Sequence, residues 1–395
     1  MKKWHSEKAN WEYHLGQVRI DKNLTLAQKE KTLAGICKIR EIFGEDWLKK
    51  AARTKHPIFY NLCNEDHWAR FWLADFGVNL AELQNVQNFD ELKRKLMDQK
   101  SFHDYEAEME VAAKLKKSGL SIKFLKVRSH KKTPDLEIES GVHKIYVEVR
   151  NMRTPESMEL ASITLRALAA LSSCAESKYN VKIALKAHKT LVKKGKAQKI
   201  LPTPHIQELR DKIFSGAEKA TKEKLCVERS KPEIFECLIV PREKFDYLKE
   251  WRKRKGMART WEGPLPNVDE VERVASRLIK EYCQLPKNEP GLIVICQNNL
   301  TYGWDIDFPS YINLNSYQKI VRELKGKFHK KYSNLIAAIL IISYYFGRHQ
   351  PNKTIEDKNY FLTMKHSHGI QKDTLIIKNR YCKLPFPEKV LDAFK

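Results

Sequence analysis

TPDLEIESGVHKIYVEVRN, Thr133 to Asn151, carries two runs of alternating polar and apolar residues on either side of a glycine. Period-two alternation marks strands with one buried face, and Ser140-Gly141 supplies a turn. If those two residues form the turn, Glu139 opposes Val142, Glu137 opposes Lys144 and Asp135 opposes Tyr146. Leu136, Ile138, Ile145, Val147 and Val149 then share one face, fit to pack on a helix layer. Asp135, Tyr146, Glu148 and Arg150 share the other. Asp135 and Glu148 become diagonal neighbours, about 7–8 Å apart at the backbone. Two carboxylates at that distance can converge on one divalent cation.

A solvated outer face would accept the same acids, so the hairpin alone suits both readings. Three features favour the cation. Asp135 follows Pro134 at the start of a strand, and Glu148 closes the otherwise apolar run IYVEV. Upstream, Glu108 shares a helix face with Ala112 and Leu115, which puts a carboxylate on an inward stripe.

Outward from the hairpin, helix and strand alternate. Glu106 to Ser118 reads as a helix stopped at Gly119, and Ile122 to Val127 as a strand. Pro155 to Ser177, Pro204 to Ala220, Val268 to Gln284 and Ser316 to Leu324 have helical spacing. Val181 to Leu185, Phe235 to Val240, Leu292 to Cys296 and Leu335 to Ser343 are short, β-branched runs suited to strands buried on both faces. This order predicts an α/β fold, a three-layer α/β/α domain with a mixed central sheet, over residues 99–395. Residues 1–98 lack strand-like alternation and predict a helical N-terminal region. Its helices would be Leu24 to Phe43, His67 to Leu80 (capped by Asn64) and Phe89 to Met97 (capped by Asn88), around Trp68, Phe71, Trp72 and Phe76.

The chain has 395 residues, 42% of them hydrophobic, enough for a sizeable core. Its 73 Lys and Arg against 49 Asp and Glu give a net charge of +24, a balance that points to polyphosphate partners. Eight scattered cysteines without ligand spacing predict buried, reduced thiols in a soluble cytoplasmic protein with no membrane partner. No Walker, HExxH or GxSxG motif is present, which removes several enzyme classes.

The stretch Tyr105 to Asn151, with an acidic helix, a strand, Pro-Asp, a turn and a strand ending Glu-Val-Arg, resembles the PD-(D/E)xK nuclease superfamily, the restriction-endonuclease-like fold. The resemblance implies that Asp135 and Glu148 bind Mg²⁺ (or Mn²⁺), with the backbone carbonyl of Val149 completing the set. Glu108, or failing it Glu110, would reach the metal directly or through water. It implies hydrolysis of phosphodiester bonds in nucleic acid, with DNA the expected substrate, in a defence or repair setting, and it leaves room for a homodimer. One residue departs from the pattern: Arg150 stands where the family has Lys. Arginine can stabilise the phosphate or hold the attacking water, but it stays protonated and accepts no proton. If a lysine base is needed, Lys178 or Lys182 would have to supply it. The alternatives are a nuclease fold without turnover, binding nucleic acid or serving as a scaffold, and a basic protein whose partner is another protein.

Two stretches would bind the strand. In Phe245 to Trp261, Tyr247, Trp251 and Trp261 alternate with Arg252, Lys253, Arg254, Lys255 and Arg259, so cations would meet phosphates and rings would stack on bases. Lys182, Lys186 and Lys189 belong to a second basic run, Lys178 to Lys199. A solvated surface explains either run as well. His366 and His368 have no accompanying ligands and read as surface residues. Gln297 and its neighbours in CQNN lie at a strand carboxyl end, where open α/β sheets place sites.

Overall fold

A computed structural model describes residues 8–126, 133–141, 143–152, 156–195, 200–257, 260–263, 270–298, 314–327, 332–345, 352–358, 360–367 and 370–395. Val127, Val142, Pro155, Lys199, Arg259, Val268, the last asparagine of CQNN (Asn299) and His368 lie outside the described residues. Two compact units divide the chain: Met1–Arg153 with Asp269–Lys395, and Thr154–Val268.

The first unit begins with α1 (Trp11–Ile20), α2 (Leu26–Phe43), α3 (Trp47–Thr54), α4 (Pro57–Cys63), α5 (His67–Leu83), α6 (Phe89–Leu96) and α7 (Phe102–Lys117). Local chemistry sets several starts. Thr25 and Gln28 form a reciprocal capping box at α2, and Pro57 opens α4, where its missing N–H costs nothing. Neither expected asparagine cap forms. Asp66, not Asn64, precedes α5, and Asn88 stands before α6 but donates its side-chain N–H to the Phe124 carbonyl at 2.6 Å instead. Gly35 on α2 and Gly77 on α5 let the two helices meet backbone to backbone, since a Cβ on either would strike the other helix.

Three strands follow: β1 (Ser121–Phe124), β2 (Leu136–Ser140) and β3 (His143–Asn151). The hairpin forms, but one step along from the expected turn. Ser140 pairs with His143, so the chain turns beyond Ser140, at Gly141 with φ +61°. Glu139 therefore opposes Lys144, Glu137 opposes Tyr146 and Leu136 opposes Val147. A slip of two residues preserves the faces. Continued by one residue, this register sets Asp135 directly across from Glu148 rather than diagonal to it.

The second unit is an insertion after β3. It holds α8 (Glu156–Tyr179), β4 (Val181–Ala187), β5 (Val192–Lys194), β6 (Ile200–Pro202), α9 (Pro204–Glu223), β7 (Val227–Lys231), β8 (Phe235–Pro241), α10 (Phe245–Arg254) and β9 (Trp261–Glu262). Its four-stranded sheet runs β7-β8-β4-β9, and β5 pairs with β6. Among the described residues α8 is the one helix long and apolar enough to cross a membrane; Thr164, Leu165, Leu168 and Ala175 on one face of it are buried within the protein.

The first unit resumes with α11 (Glu270–Tyr282), β10 (Gly291–Asn298), α12 (Leu314–Lys327), β11 (Leu335–Tyr345), β12 (Lys353–Asp357), β13 (Tyr360–Ser367), β14 (Ile370–Lys378) and α13 (Lys389–Asp392). Its eight-stranded sheet is ordered β1-β2-β3-β10-β11-β14-β13-β12. β3, β10 and β11 are parallel and the remaining pairs antiparallel, so the sheet is mixed. GLIVICQN and LIAAILIISYY are apolar almost throughout because both faces are covered. One face packs under the N-terminal helices in a core that includes Trp11, Ile36, Phe102, Val147, Val294 and Ile376. The other packs against α11 and α12 through Val274, Leu278, Ile295, Tyr317 and Leu375.

Two expectations change. Of the expected N-terminal region, the described residues 8–98 are helical apart from short connections, yet they share one core with the sheet, because their apolar faces have nothing else to cover. The strands near Val181 and Phe235 belong to the inserted unit and not to the central sheet. All eight cysteines are free thiols; Cys237 and Cys296 are buried, whereas Cys37, Cys174 and Cys283 are exposed.

Candidate functional site

Asp135 is pinned by backbone on both sides. Its N–H donates to the Val147 carbonyl at 3.1 Å, and its own carbonyl accepts from Leu125 N–H at 2.9 Å. The half-buried side chain then accepts the Val149 N–H at 2.7 Å. β3 thus steers the carboxylate with a fixed donor, one residue from the Glu148 that faces it.

Glu148 is 2% exposed and points toward α11. There it meets Glu281, 1% exposed, which the sequence reading missed. Gln284 clamps the two acids: its Nε2 donates to Glu148 Oε1 at 2.7 Å and to Glu281 Oε2 at 2.6 Å. Two guanidinium groups reach the same carboxylate, Arg277 Nε at 2.5 Å and Arg150 Nε at 3.6 Å from Glu281 Oε1. Arg150 is otherwise part-exposed.

Glu108 comes from the opposite helix layer, on α7, and is 8% exposed. Asp135 couples the two sides, for its charge acts on Glu108 and on Glu148, and Glu281 acts on it. Burial pushes the Glu108 carboxyl well up, with Asp135 adding to it. It pushes Asp135 up as well, against the opposing Val149 N–H and Arg150. Glu148 is raised too, by burial, then by Asp135 and Glu281. Tyr105, one turn before Glu108, is pushed up to about 12 by burial and by the same acids. Four carboxylates face two guanidinium groups here. As carboxylates, Glu148 and Glu281 are acceptors only, and among the described residues Glu148 Oε2 is buried without a hydrogen-bond donor. Such an arrangement calls for a shared proton or a cation.

The oxygens are not yet gathered around a point: among the described residues, no set of three or more His, Cys, Asp or Glu side chains is arranged to hold a metal ion. The donor chemistry fits a hard divalent cation, while Glu148 stays turned toward Gln284 and Glu281. Glu110 does not face this cluster; it pairs with Lys372.

The strand-binding candidates lie in the inserted unit and are largely engaged. Lys182 pairs with Glu176 at 3.0 Å, and Lys189 with Glu233 at 3.6 Å. Lys186 donates to the Lys255 carbonyl at 2.6 Å, and Lys255 pairs with Glu236. Trp251, expected to stack on bases, is 2% exposed; it packs with Leu238, Val240 and Leu248 and donates to Glu228 at 3.0 Å. An aromatic at helical spacing on a short amphipathic helix has filled the core. Arg252 is half-buried, while Lys253, Arg254 and Tyr247 remain exposed. Lys178 lies over the Tyr179 ring. Gln297 is buried, with Oε1 unpaired.

Glu281 had a signal that went unread. Val271, Val274, Leu278 and Glu281 fall at helical spacing, so a carboxylate sits on an apolar stripe as Glu108 does. Comparison with protein families, with curated proteins and with solved structures found no match.

Proposed function

We propose that this chain is a metal-dependent nuclease with a restriction-endonuclease-like core, hydrolysing phosphodiester bonds of nucleic acid, with DNA the expected substrate. The observation that carries this reading is the set Glu108, Asp135 and Glu148, each raised by burial, with the buried Glu281 beside Glu148 and with Glu148 Oε2 lacking a donor among the described residues. Asp135 and Glu148, the Val149 carbonyl and Glu108 would hold Mg²⁺ or Mn²⁺. A divalent cation there would lower the pKa of a bound water and neutralise charge on the phosphate.

The chain's own residues then have separate tasks. Val149 N–H keeps Asp135 aimed, and Gln284 holds Glu148 until the carboxylate turns to its ligand position. Glu281 is a positioning residue, anchoring Arg150 beside the cluster. Arg150 keeps its charge at every working pH, so it stabilises the phosphate and orients water but accepts no proton. Lys178 and Lys182 belong to the inserted unit and have partners there, so no lysine base is assigned. The proton of the attacking water passes to the phosphate or to solvent.

A second reading has one observation in its favour. Glu148 is held by Gln284 against Glu281, as in a site that keeps the fold without turnover. Cleavage decides between them. With Mg²⁺ or Mn²⁺, the protein should nick plasmid DNA or degrade single strands, and Asp135→Ala should abolish this while retaining salt-sensitive binding. Full cleavage by Asp135→Ala would overturn the site, and binding without cleavage on all substrates would favour the second reading.

A further inference from the structure

The first unit holds another recess, of about 400 Å³, on the far side of α7 from Glu108. Glu106, Glu110, Lys114 and Lys117 form one stripe of that helix, and Glu108 lies on a different face. Phe71, Trp72, Asp75, Phe76 and Asn79 of α5 line the opposite wall. Ser343, Lys365, Ile370 and Lys372 close the floor near the carboxyl end of β11.

The charges in this recess are unevenly matched. Its acids are already engaged: Asp75 pairs with Lys31 at 2.7 Å, Glu106 accepts from Trp72 Nε1 at 2.9 Å and contacts His103 Nδ1 at 3.2 Å, and Glu110 pairs with Lys372. Two amines have no carboxylate among the described residues. Lys117 donates to the Asn79 side chain at 2.8 Å, whereas Lys365 donates to the main-chain carboxylate oxygen of Lys395 at 3.2 Å. Lys114 has no hydrogen-bond acceptor or ion-pair partner among the described residues, and burial together with Lys365 pushes its amine down. Beside these amines stands an aromatic wall, with Trp72 and Phe76 stacked at 4.8 Å and 25°.

We propose that this recess binds a small planar anion of the nucleoside-phosphate class, its phosphate on Lys114 and Lys117 and its base against Trp72 and Phe71. The size falls within the roughly 300–1,000 Å³ of ordinary ligand pockets. Cations without carboxylates select phosphate, and an aromatic face accepts any base. This site is separate from the acid cluster and does not depend on the nuclease reading.

The test is calorimetric titration of the full chain in EDTA, so that the acid cluster contributes no metal-dependent binding. The probes are AMP, GMP, CMP and UMP, with ribose 5-phosphate and inorganic phosphate as controls. Nucleoside monophosphates should bind with a Kd of roughly millimolar or tighter, at least about tenfold tighter than inorganic phosphate. Lys114→Met should weaken binding by about tenfold or more. Lys117→Ala, at an exposed position, should weaken it by severalfold and tests the site even if Lys114→Met fails to fold. Quenching of tryptophan fluorescence by the ligand should be lost in Trp72→Phe. Absence of binding by every nucleotide, equal binding of inorganic phosphate, or affinity unchanged in the folded lysine variants would overturn the proposal.

Discussion

Glu148→Gln should stabilise the metal-free protein, and the size of the gain should depend on pH. In the fold the Glu148 carboxyl holds its proton far above the usual carboxylate range, because it is buried beside Asp135 and Glu281. In the unfolded chain it titrates at its ordinary value of about 4.3. Between that value and the raised one, the unfolded state has released a proton that the folded state keeps. Stability therefore falls as pH rises, by about 1.4 kcal/mol per unit for one such group. From pH 4.3 to 7.5 the ceiling is about 4 kcal/mol, whatever the folded value beyond 7.5. Relaxation of the pocket and the residual burial of an amide reduce the expected gain to about 1–3 kcal/mol at pH 7.5. At about 2–4 °C per kcal/mol, calorimetry in EDTA should show Glu148→Gln melting roughly 2–10 °C above wild type at pH 7.5. The difference should shrink toward zero near pH 4.5. A variant that melts lower at pH 7.5, or a gain independent of pH, would refute the reasoning that repulsion and burial are unrelieved at this cluster.

Other outcomes follow from particular residues. Arg150→Lys should retain measurable metal-dependent cleavage and Arg150→Ala should lose about 10²-fold or more in kcat, as measured on plasmid nicking; equal rates in both variants would remove Arg150 from the site. His14 and His56 are buried and lowered from 6.5 to about 4, chiefly by desolvation. Their unfolded forms bind protons first, so stability is full above pH 6.5 and should be lost as pH falls toward 4, by about 3 kcal/mol for each, measured by urea unfolding. Trp251→Ala should destabilise the inserted unit by about 3–5 kcal/mol, with nucleic-acid affinity unchanged at permissive temperature in a filter-binding assay. Gly77→Ala should lower the melting temperature of the first unit markedly, since the new Cβ meets the Gly35 backbone.

Much of the fold was legible because its signals are periodic. The runs Leu292 to Cys296 and Leu335 to Ser343 became adjacent parallel strands, and the helix before Gly119 ended where its left-handed glycine, φ +75°, requires. The insertion was not legible, since strands 181–187 and 235–241 have the composition of central strands and nothing local says which sheet they join. The hairpin faces were read correctly but the register was off by two residues, for Ser140-Gly141 and the pair that follows both satisfy the alternation. Asp135 was singled out because it follows Pro134 at a strand start, and Glu148 and Glu108 because each carboxylate interrupts an apolar pattern. Glu281 interrupts one too, but it is more than a hundred residues from the hairpin, and its relevance appears only when α11 lies over β3. Trp251 shows the converse: interleaved aromatics and cations describe a nucleic-acid face and an amphipathic helix equally well until burial separates them.

The most direct measurement is calorimetric titration of Mn²⁺ into wild type, Asp135→Asn and Glu148→Gln in two buffers of different ionisation enthalpy. Saturable binding near one equivalent in wild type, with protons released to the buffer and binding lost in both variants, is the predicted result. Failure of wild type to bind at millimolar Mn²⁺, or equal binding in all three proteins, would contradict it.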